Sequence, residues 1–172
     1  MIAAVAAGHP ATAAAGAAIL GEGGTAADAA VAASLASCVA ETVMTGLLGG
    51  GHAIYHDAGS GVTRNLDCFV TVPSAAGIPM QHLQVLFGEE LIDYAVGASS
   101  CAVPGLPAGL GALWRAHGRL PWAELFEPAL ELARSGVAMP PAHAACLVML
   151  APVLTMREGE RMYRRHGDLL RS

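Results

Sequence analysis

Two histidines, His52 and His56, are the residues of this chain whose types best suit metal chemistry. The residues around them favour a strand, and in a strand both side chains lie on one face. They are then about 13 Å apart, at ~3.3 Å per residue. Two ligands of one zinc ion, each about 2 Å from the metal, cannot lie that far apart. We therefore predict that the chain holds no metal and no cofactor.

The cysteines are the next candidates, because a thiolate can act as a nucleophile or a metal ligand. Cys38 falls in the most apolar helical stretch, where a thiol behaves as a small hydrophobic group. The other cysteines, Cys68, Cys101 and Cys146, form no short pair typical of a zinc site or a disulfide framework. The pattern predicts reduced, buried thiols without a catalytic role.

The remaining histidines and several carboxylates have weaker claims to chemistry. His9 precedes Pro10 and suits the entry of a helix, whereas His117 and His143 are expected at helix ends, facing solvent. Paired carboxylates can act as a general acid and base. The candidates are Asp67, Glu89, Glu90 and Asp93, but no separation between any two of them follows from the sequence.

A run of three glycines, residues 49–51, could bring backbone close to another group, because glycine has no Cβ. It is not a phosphate-binding loop, since no Gly-Lys-Ser/Thr follows it and the next element is a strand. Two interpretations remain open at this stage. The run either lets a ligand approach the backbone or packs tightly against neighbouring backbone.

The order of predicted elements is helices, then antiparallel strands, then helices, which is typical of an α+β fold. Pro10 and the glycines after residue 20 bound a first helix, and Thr25 with Asp28 resembles a capping box that begins a second. Pro128 predicts a kink or a short first segment in a later helix. The predicted strands are residues 52–57 and 62–70, joined by a hairpin turn, then 84–87, 91–96 and 99–103. Later helices are expected after Pro104, around Trp122, and from Pro140 to Pro152.

Composition and length bound the class of protein. The 172 residues fit a single domain, 1–172, with 54% apolar and only 13% charged residues. A net charge of −5 argues against nucleic acid as a partner. The apolar run 29–40 is too short to span a membrane. No basic leader is recognisable, so a cytoplasmic location is expected, with export left open if the N-terminus is incomplete. So few charges suggest that a partner or a missing half covers part of the surface, and a homo-oligomer is left open.

Several blocks of the sequence resemble the γ-glutamyltransferase (γ-glutamyltranspeptidase, or glutathione hydrolase) family, in the family's order, from about His9 to Gly136. No single block is specific, but their joint order and spacing are. The blocks are His9-Pro10, residues 23–30, Glu41, residues 45–51, Leu66-Asp67, Pro73, residues 103–105, residues 118–122 and Pro128-Ala129.

This resemblance implies the front part of an N-terminal nucleophile hydrolase, an αββα sandwich that is incomplete without its small subunit. It implies a precursor that cuts itself, and a new N-terminal threonine of the small subunit that serves as nucleophile. That threonine is expected downstream, so this chain is expected to hold no catalytic residue and to be inactive alone. The threonines present lack the family's nucleophile context: Thr12, Thr25, Thr42, Thr45, Thr63, Thr71 and Thr155.

One position departs from the family's pattern. The resemblance implies an arginine two residues after Asp67, which binds the α-carboxylate of the γ-glutamyl group, but this chain has Phe69. Phenylalanine cannot form a charge-assisted bond to a carboxylate. Either another cation replaces it, with Arg64 the nearest in sequence, or the substrate lacks that carboxylate. The alternatives to a γ-glutamyl amidohydrolase are therefore an acylase for other amides and a truncated, non-catalytic scaffold or binding module.

Overall fold

A computed structural model of the chain describes residues 3–74 and 77–171. Their contacts form two compact units. The first unit comprises the chain up to Thr71 together with Pro104–Ala138, and the second comprises Val72–Val103 together with residues 139 onward. The expected single domain 1–172 stays a prediction.

Two alanine-rich helices open the first unit: α1, Pro10–Gly21, and α2, Ala26–Ala40. The Nδ1 atom of His9 accepts a hydrogen bond from the Ala11 amide at 3.0 Å, so His9 is the predicted helix-entry residue. The capping box at the start of α2 is also confirmed, because Thr25 and Asp28 exchange side-chain to backbone hydrogen bonds. Small side chains let these two helices pack closely along their length.

A hairpin follows, made of β1, Gly51–Asp57, and β2, Val62–Cys68, which pair antiparallel. Alternate residues of β1, such as Ala53 and Tyr55, pack against the core of the unit. This core also receives buried residues of α2, among them Val31 and Leu35. The opposite face of β1 carries exposed side chains, so helices cover one face of the hairpin and leave the other open.

The first unit is completed by α3, Leu106–His117, a short 3₁₀ helix, Trp122–Phe126, and α4, Glu127–Ser135. Pro128 occupies the first turn of α4, where its missing N–H costs no hydrogen bond. The predicted short first segment is therefore confirmed, since the chain is 3₁₀ before Pro128 and α-helical after it. Leu110, Leu113 and Leu125 contribute to the same core as α2.

The second unit contains a hairpin of β3, Gln81–Phe87, and β4, Glu90–Val96, turning at Gly88 with a φ of 62°. It also contains α5, Pro141–Leu154, which packs against β3. The predicted boundary at Pro152 is approximately right, because α5 ends two residues beyond it. A short helix α6, Gly159–Tyr163, and two short strands β5, Arg164–Arg165, and β6, Asp168–Leu169, follow.

The predicted strand 99–103 is wrong. The chain instead forms a 3₁₀ turn over Ala98–Ser100. Serine hydroxyls compete for backbone groups that a strand would need. The Ser99 hydroxyl donates to the Ile78 carbonyl at 2.8 Å, and the Ser100 hydroxyl donates to the Gly97 carbonyl at 2.7 Å. These local bonds favour a turn over an extended backbone.

Within residues 3–74 and 77–171, none of the helices combines the length and the apolar character needed to cross a membrane.

Candidate functional site

The β1–β2 hairpin positions several of the residues that the sequence singled out, among them His52, Arg64 and Asp67. In its register Gly51 lies opposite Cys68, and His52 lies opposite Asp67. Phe69 follows directly after the last residue of β2. The structure therefore brings His52, which the sequence analysis considered and rejected as a metal ligand, to the end of the hairpin where Phe69 lies.

Three glycines pack against the backbone at the end of β2, and we call them the glycine wall: Gly50, Gly105 and Gly109. A Cβ atom on Gly50 would lie 2.7 Å from the Phe69 carbonyl carbon and 2.8 Å from the Cys68 carbonyl oxygen. A Cβ atom on Gly105 would overlap the carbonyl oxygens of both residues, and one on Gly109 would overlap the Cys68 side chain. Real Cβ atoms do not approach so closely, so the wall needs glycine. For Gly50, the structure favours the tight-packing interpretation of the run 49–51.

Hydrogen bonds fasten the wall to the hairpin. The Gly49 carbonyl accepts from the amides of Gly105 and Leu106, both at 3.1 Å. The Cys68 thiol donates to the Gly51 carbonyl at 3.2 Å. These contacts join the glycine loop, the end of β2 and the start of α3, so the backbone at Phe69 is fixed from three sides.

The Phe69 side chain projects from this fixed backbone and is 56% exposed. Its ring stacks on the His52 imidazole, with 5.7 Å between centroids and 10° between planes. The Nδ1 atom of His52 lies 3.5 Å from an Asp67 carboxylate oxygen, and the Phe69 amide donates to that same oxygen at 3.0 Å. Phe69, His52 and Asp67 thus form one exposed cluster, and we call it the hairpin-end cluster.

Arg64, the nearest cation in sequence, does not join this cluster. It lies opposite Tyr55 in the hairpin, three residues before Asp67, or about 10 Å along the strand. There it lines a cavity of about 190 Å³ together with Tyr55 and His117. The His117 ring stacks on Tyr55 at 3.9 Å between centroids. In the hairpin register, the basic side chain closest to Phe69 is therefore that of His52.

The other expectations for histidines have mixed outcomes. His117 and His143 do lie at helix ends, but the prediction that they face solvent is wrong, because both are half-buried. His117 is covered by its stacking on Tyr55. The Nδ1 atom of His143 is buried and has no hydrogen-bond partner among the described residues. The Nδ1 atom of His56 forms a hydrogen bond with the Thr63 hydroxyl at 2.9 Å.

The candidate carboxylates do not meet as a set. Asp67 belongs to the hairpin-end cluster, whereas Glu90 and Asp93 lie on β4, in the second unit, and Glu89 lies in the turn before β4. The Asp93 carboxylate lies 2.6 Å from the Nδ1 atom of His82 and accepts a hydrogen bond from the side-chain amide of Gln84 at 3.1 Å. These are exposed cross-strand contacts within the β3–β4 hairpin.

All four cysteines are free. The prediction of buried thiols is wrong for Cys101, which is exposed, because the expected strand at residues 99–103 does not form. Cys38 is half-buried in α2, and this burial raises the pKa of its thiol, so the thiol form is favoured.

Sequence reasoning missed the second role of Asp28, a fully buried carboxylate. Besides capping α2, it accepts hydrogen bonds from the amides of Arg119, at 2.9 Å, and Leu120, at 3.4 Å. Burial by itself raises the pKa of Asp28. The hydrogen bonds from Thr25, Arg119 and Leu120 outweigh burial and hold the pKa below its ordinary value. We call this group the Asp28 anchor; it ties the α3–3₁₀ connection to α2.

Comparisons with known proteins agree with this architecture. The profile of the Gamma-glutamyltranspeptidase family matches residues 12–172. The chain therefore belongs to the gamma-glutamyltranspeptidase family. It is 34% identical over 158 residues to Glutathione hydrolase 3 of Arabidopsis thaliana, covering 91% of this chain and 24% of that protein. It is 39% identical over 146 residues to the Acylase ACY 1 proenzyme of Pseudomonas sp. (strain V22), covering 81% of this chain and 26% of that protein.

Solved structures show the same fold. The Helicobacter pylori gamma-glutamyltranspeptidase superposes with a TM-score of 0.81 at 25% identity, covering 99% of this chain and 49% of that chain. The predicted fold class, the front part of an N-terminal nucleophile hydrolase, is therefore confirmed. The chain spans about a quarter of the length of the curated relatives it matches.

Proposed function

We propose that this chain is the front part of the large subunit of a threonine-nucleophile amidohydrolase and acyltransferase, acting on glutathione or another γ-glutamyl amide. The observation that carries this proposal is the family match over residues 12–172. Glutathione hydrolases from a plant and a yeast are among the matched relatives. The match includes Phe69, at the position where the resemblance places substrate recognition, and the glycine wall that packs against it.

The reaction would pass through a threonine ester. A threonine at the N-terminus of the small subunit attacks the amide carbonyl, and its own amine takes the hydroxyl proton. The amide C–N bond then breaks, and the leaving amine departs with that proton. Water or an amine then attacks the ester, releases the acyl group and regenerates the threonine. The role of this chain is to provide one wall of the acyl site, because its threonines lack the nucleophile context and the catalytic threonine is expected downstream.

The open face of the β1–β2 hairpin supports a missing small-subunit partner. Helices cover the inner face of β1, whereas Ile54 on its outer face is 78% exposed. Leu48, in the loop before β1, is 81% exposed. In an αββα sandwich a second sheet lies over such a face and buries its apolar side chains. We propose that the rest of the fold provides this second sheet.

A second candidate, an acylase for amides without the γ-glutamyl carboxylate, is favoured by one specific observation. Phe69 occupies the position for which the resemblance implies a carboxylate-binding arginine, and its ring stacks on His52 and is more than half exposed. An apolar ring at that place favours an apolar acyl group. The match to Acylase ACY 1 proenzyme, at 39% identity, supports this candidate too.

The experiment begins with the reading frame downstream of residue 172. We expect it to encode a strand-rich second half that contains a threonine at a self-cleavage site. The complete protein is then expressed and assayed with γ-glutamyl and simple acyl anilides. We expect the protein to cleave itself into two fragments and to turn over an anilide. Changing that threonine to alanine should abolish both the self-cleavage and the turnover. A stop directly after residue 172, or an uncleaved and inactive product, would contradict the enzyme and favour a scaffold or binding module.

We also propose a cytoplasmic location. The oligomeric state of the complete protein is to be measured. The four free cysteines support a reducing compartment, because thiols of exported proteins are commonly paired as disulfides. Fractionation of cells expressing the complete gene tests the location, and recovery of the protein outside the cytoplasm contradicts it. Light scattering of the purified protein reports the oligomeric state.

A further inference from the structure

We propose that the cavity between β2 and α3 binds the carboxylate group of a free, short-chain organic acid. The cavity has a volume of about 190 Å³, lies wholly within the first unit, and has Tyr55, Arg64 and His117 in its lining. The inference goes beyond the proposed amide-cleaving function and does not depend on it, because the cavity lies on another face of the hairpin from the hairpin-end cluster.

The hairpin register determines that face. Arg64 lies directly opposite Tyr55, and directly opposite residues of an antiparallel pair project to the same side. Tyr55 packs against the core of the unit, so Arg64 also projects toward α3. His52 belongs to the alternate, outward-facing residues of β1, so it lies on the other side of the sheet.

Arg64 is the charged group of the proposed site. It is exposed, so a ligand can reach it, and it takes part in none of the ion pairs among residues 3–74 and 77–171. Its guanidinium presents five N–H donors in a planar fork, which matches the two oxygens of a carboxylate. Since no described carboxylate occupies this fork, it is available to one from a ligand.

Tyr55 and His117 bring further donors to the same cavity. Their rings stack at 3.9 Å between centroids and 11° between planes, so each ring holds the other in place. Within the described part of the chain, neither the Tyr55 hydroxyl nor the His117 ring forms a hydrogen bond. A tyrosine hydroxyl donates one hydrogen bond, and even a neutral imidazole carries one N–H. Three side chains can therefore donate to one anionic group.

The size and the remaining walls of the cavity indicate the class of ligand. Its volume of about 190 Å³ equals about six water molecules at ~30 Å³ each, so it suits an acid of about five non-hydrogen atoms. Leu66 and Leu113 provide apolar walls, and the small side chains of Ala112 and Ala116 leave the space open. An apolar wall beside a guanidinium favours a carboxylate with a short hydrocarbon chain, such as propanoate.

Two nearby groups oppose an anion and limit its affinity. The C-terminal end of α3 carries partial negative charge. Part of this charge is offset, because the Thr25 hydroxyl donates to the His117 carbonyl at 2.9 Å and the Gly118 amide donates to the Trp114 carbonyl at 2.7 Å. Asp57, at the end of β1, is exposed and bonds within its own turn. We therefore expect half-saturation on the order of 10 mM propanoate, as for one ion pair in a solvated site.

The test measures how fast phenylglyoxal, an arginine-selective reagent, modifies Arg64 in the complete protein, with mass spectrometry of the resulting peptides as the readout. Propanoate at about 50 mM should slow the modification about sixfold, as mass action predicts for half-saturation at about 10 mM. Propanamide, which has the same shape without the charge, and sodium chloride of equal ionic strength should not slow it. Arg134, exposed in the last turn of α4, is the internal control, and its rate should not change.

Variants of the cavity sharpen the test. Ala116→Leu fills the cavity without removing the arginine, so the protection of Arg64 by propanoate should disappear. Ala133→Leu, at an exposed position of α4, is the matched control and should keep the full protection. Tyr55→Phe keeps the stacked ring and removes the hydroxyl. It should weaken binding about fivefold and reduce the protection to about twofold, the usual effect of one lost hydrogen bond.

Three results would overturn the inference. The first is an Arg64 that propanoate does not protect, or that propanamide or sodium chloride protects equally well. The second is protection that persists in Ala116→Leu. The third is an Arg64 that is unreactive before propanoate is added, since a side chain of the complete protein, the other source of a carboxylate, then occupies the cavity. None of these measurements needs amide turnover, so failure of the proposed function leaves the test intact.

Discussion

The Asp28 anchor and the glycine wall hold two loop segments of the first unit in opposite ways. The anchor attracts: one buried carboxylate accepts hydrogen bonds from Thr25, Arg119 and Leu120. The wall has no side chain of its own. Gly50 and Gly105 leave room for the backbone of Cys68 and Phe69, and Gly109 leaves room for the Cys68 side chain. A hydrogen-bonded anchor depends on charge and pH, whereas a steric one depends only on volume.

Filling the glycine wall is expected to have the largest effect on stability. Gly105→Ala should destabilise the chain by about 3 kcal/mol, because the added methyl overlaps the carbonyl oxygens of Cys68 and Phe69. The backbone φ of Gly105 is −111°, which alanine adopts easily, so the cost is one of volume. Chemical denaturation of the variant measures this cost.

Gly51→Ala is the matched control for that experiment. It is close to the wall in space, yet a Cβ atom there meets nothing within 4 Å. We expect its free energy of unfolding to stay within about 0.5 kcal/mol of the unmodified chain. Equal losses in Gly51→Ala and Gly105→Ala would show that the wall is not a site of steric constraint.

Weakening the Asp28 anchor is expected to cost slightly less. Asp28→Asn replaces one acceptor oxygen with an NH₂ group that faces backbone N–H donors. We expect a loss of about 2–3 kcal/mol in the free energy of unfolding, since buried donors lose their partner. Asp57→Asn is the control, because Asp57 is exposed and bonds only within its own turn. Similar losses in both variants would contradict a special role for Asp28.

The Asp28 anchor and the glycine wall also show which structural features can be predicted from a sequence. The helix entry at His9, the capping box of Thr25 and Asp28, and the break at Pro128 follow from local backbone chemistry, and all three are confirmed. The hydrogen bond from the Arg119 amide to the Asp28 carboxylate joins residues 91 positions apart, and no local sequence pattern predicts it. A capping carboxylate looks the same in sequence whether or not it also accepts distant amides.

The candidate site likewise contains one feature that the sequence predicts and others that it does not. Phe69 is visible in the sequence because it departs from a family pattern at a known spacing. The contact of Phe69 with His52 depends on the hairpin register, and the glycine wall depends on where α3 begins. The strand expected at residues 99–103 failed because Ser99 and Ser100 bond to nearby backbone instead. Tertiary contacts of this kind are invisible in residue spacing alone.

A third prediction concerns the function that the wall supports. Phe69→Arg in the complete protein should raise kcat/KM for γ-glutamyl anilide about tenfold, because a guanidinium can bind the α-carboxylate. It should lower kcat/KM for apolar acyl anilides, since the apolar ring is lost. Phe69→Leu serves as the control: it removes the aromatic ring without adding charge. If Phe69→Arg changes neither rate, Phe69 is a packing residue and another group binds the acyl chain.

The smallest expected effect is the pH dependence of the anchor. The pKa of Asp28 is below its ordinary value in the folded chain, because the hydrogen bonds outweigh burial. Between the folded and the unfolded pKa the unfolded state binds more protons, so stability falls as the pH falls through that window. The contribution is fully present above about pH 4, the ordinary aspartate value, and is lost below it. The free energies of unfolding of the unmodified chain and of Asp28→Asn should therefore converge as the pH drops from 5 toward 2.

The glycine wall carries no titratable group, so the cost of Gly105→Ala should stay constant over the same range. If the difference in free energy of unfolding between Asp28→Asn and the unmodified chain stays constant with pH, the charge of Asp28 does not stabilise the anchored segment.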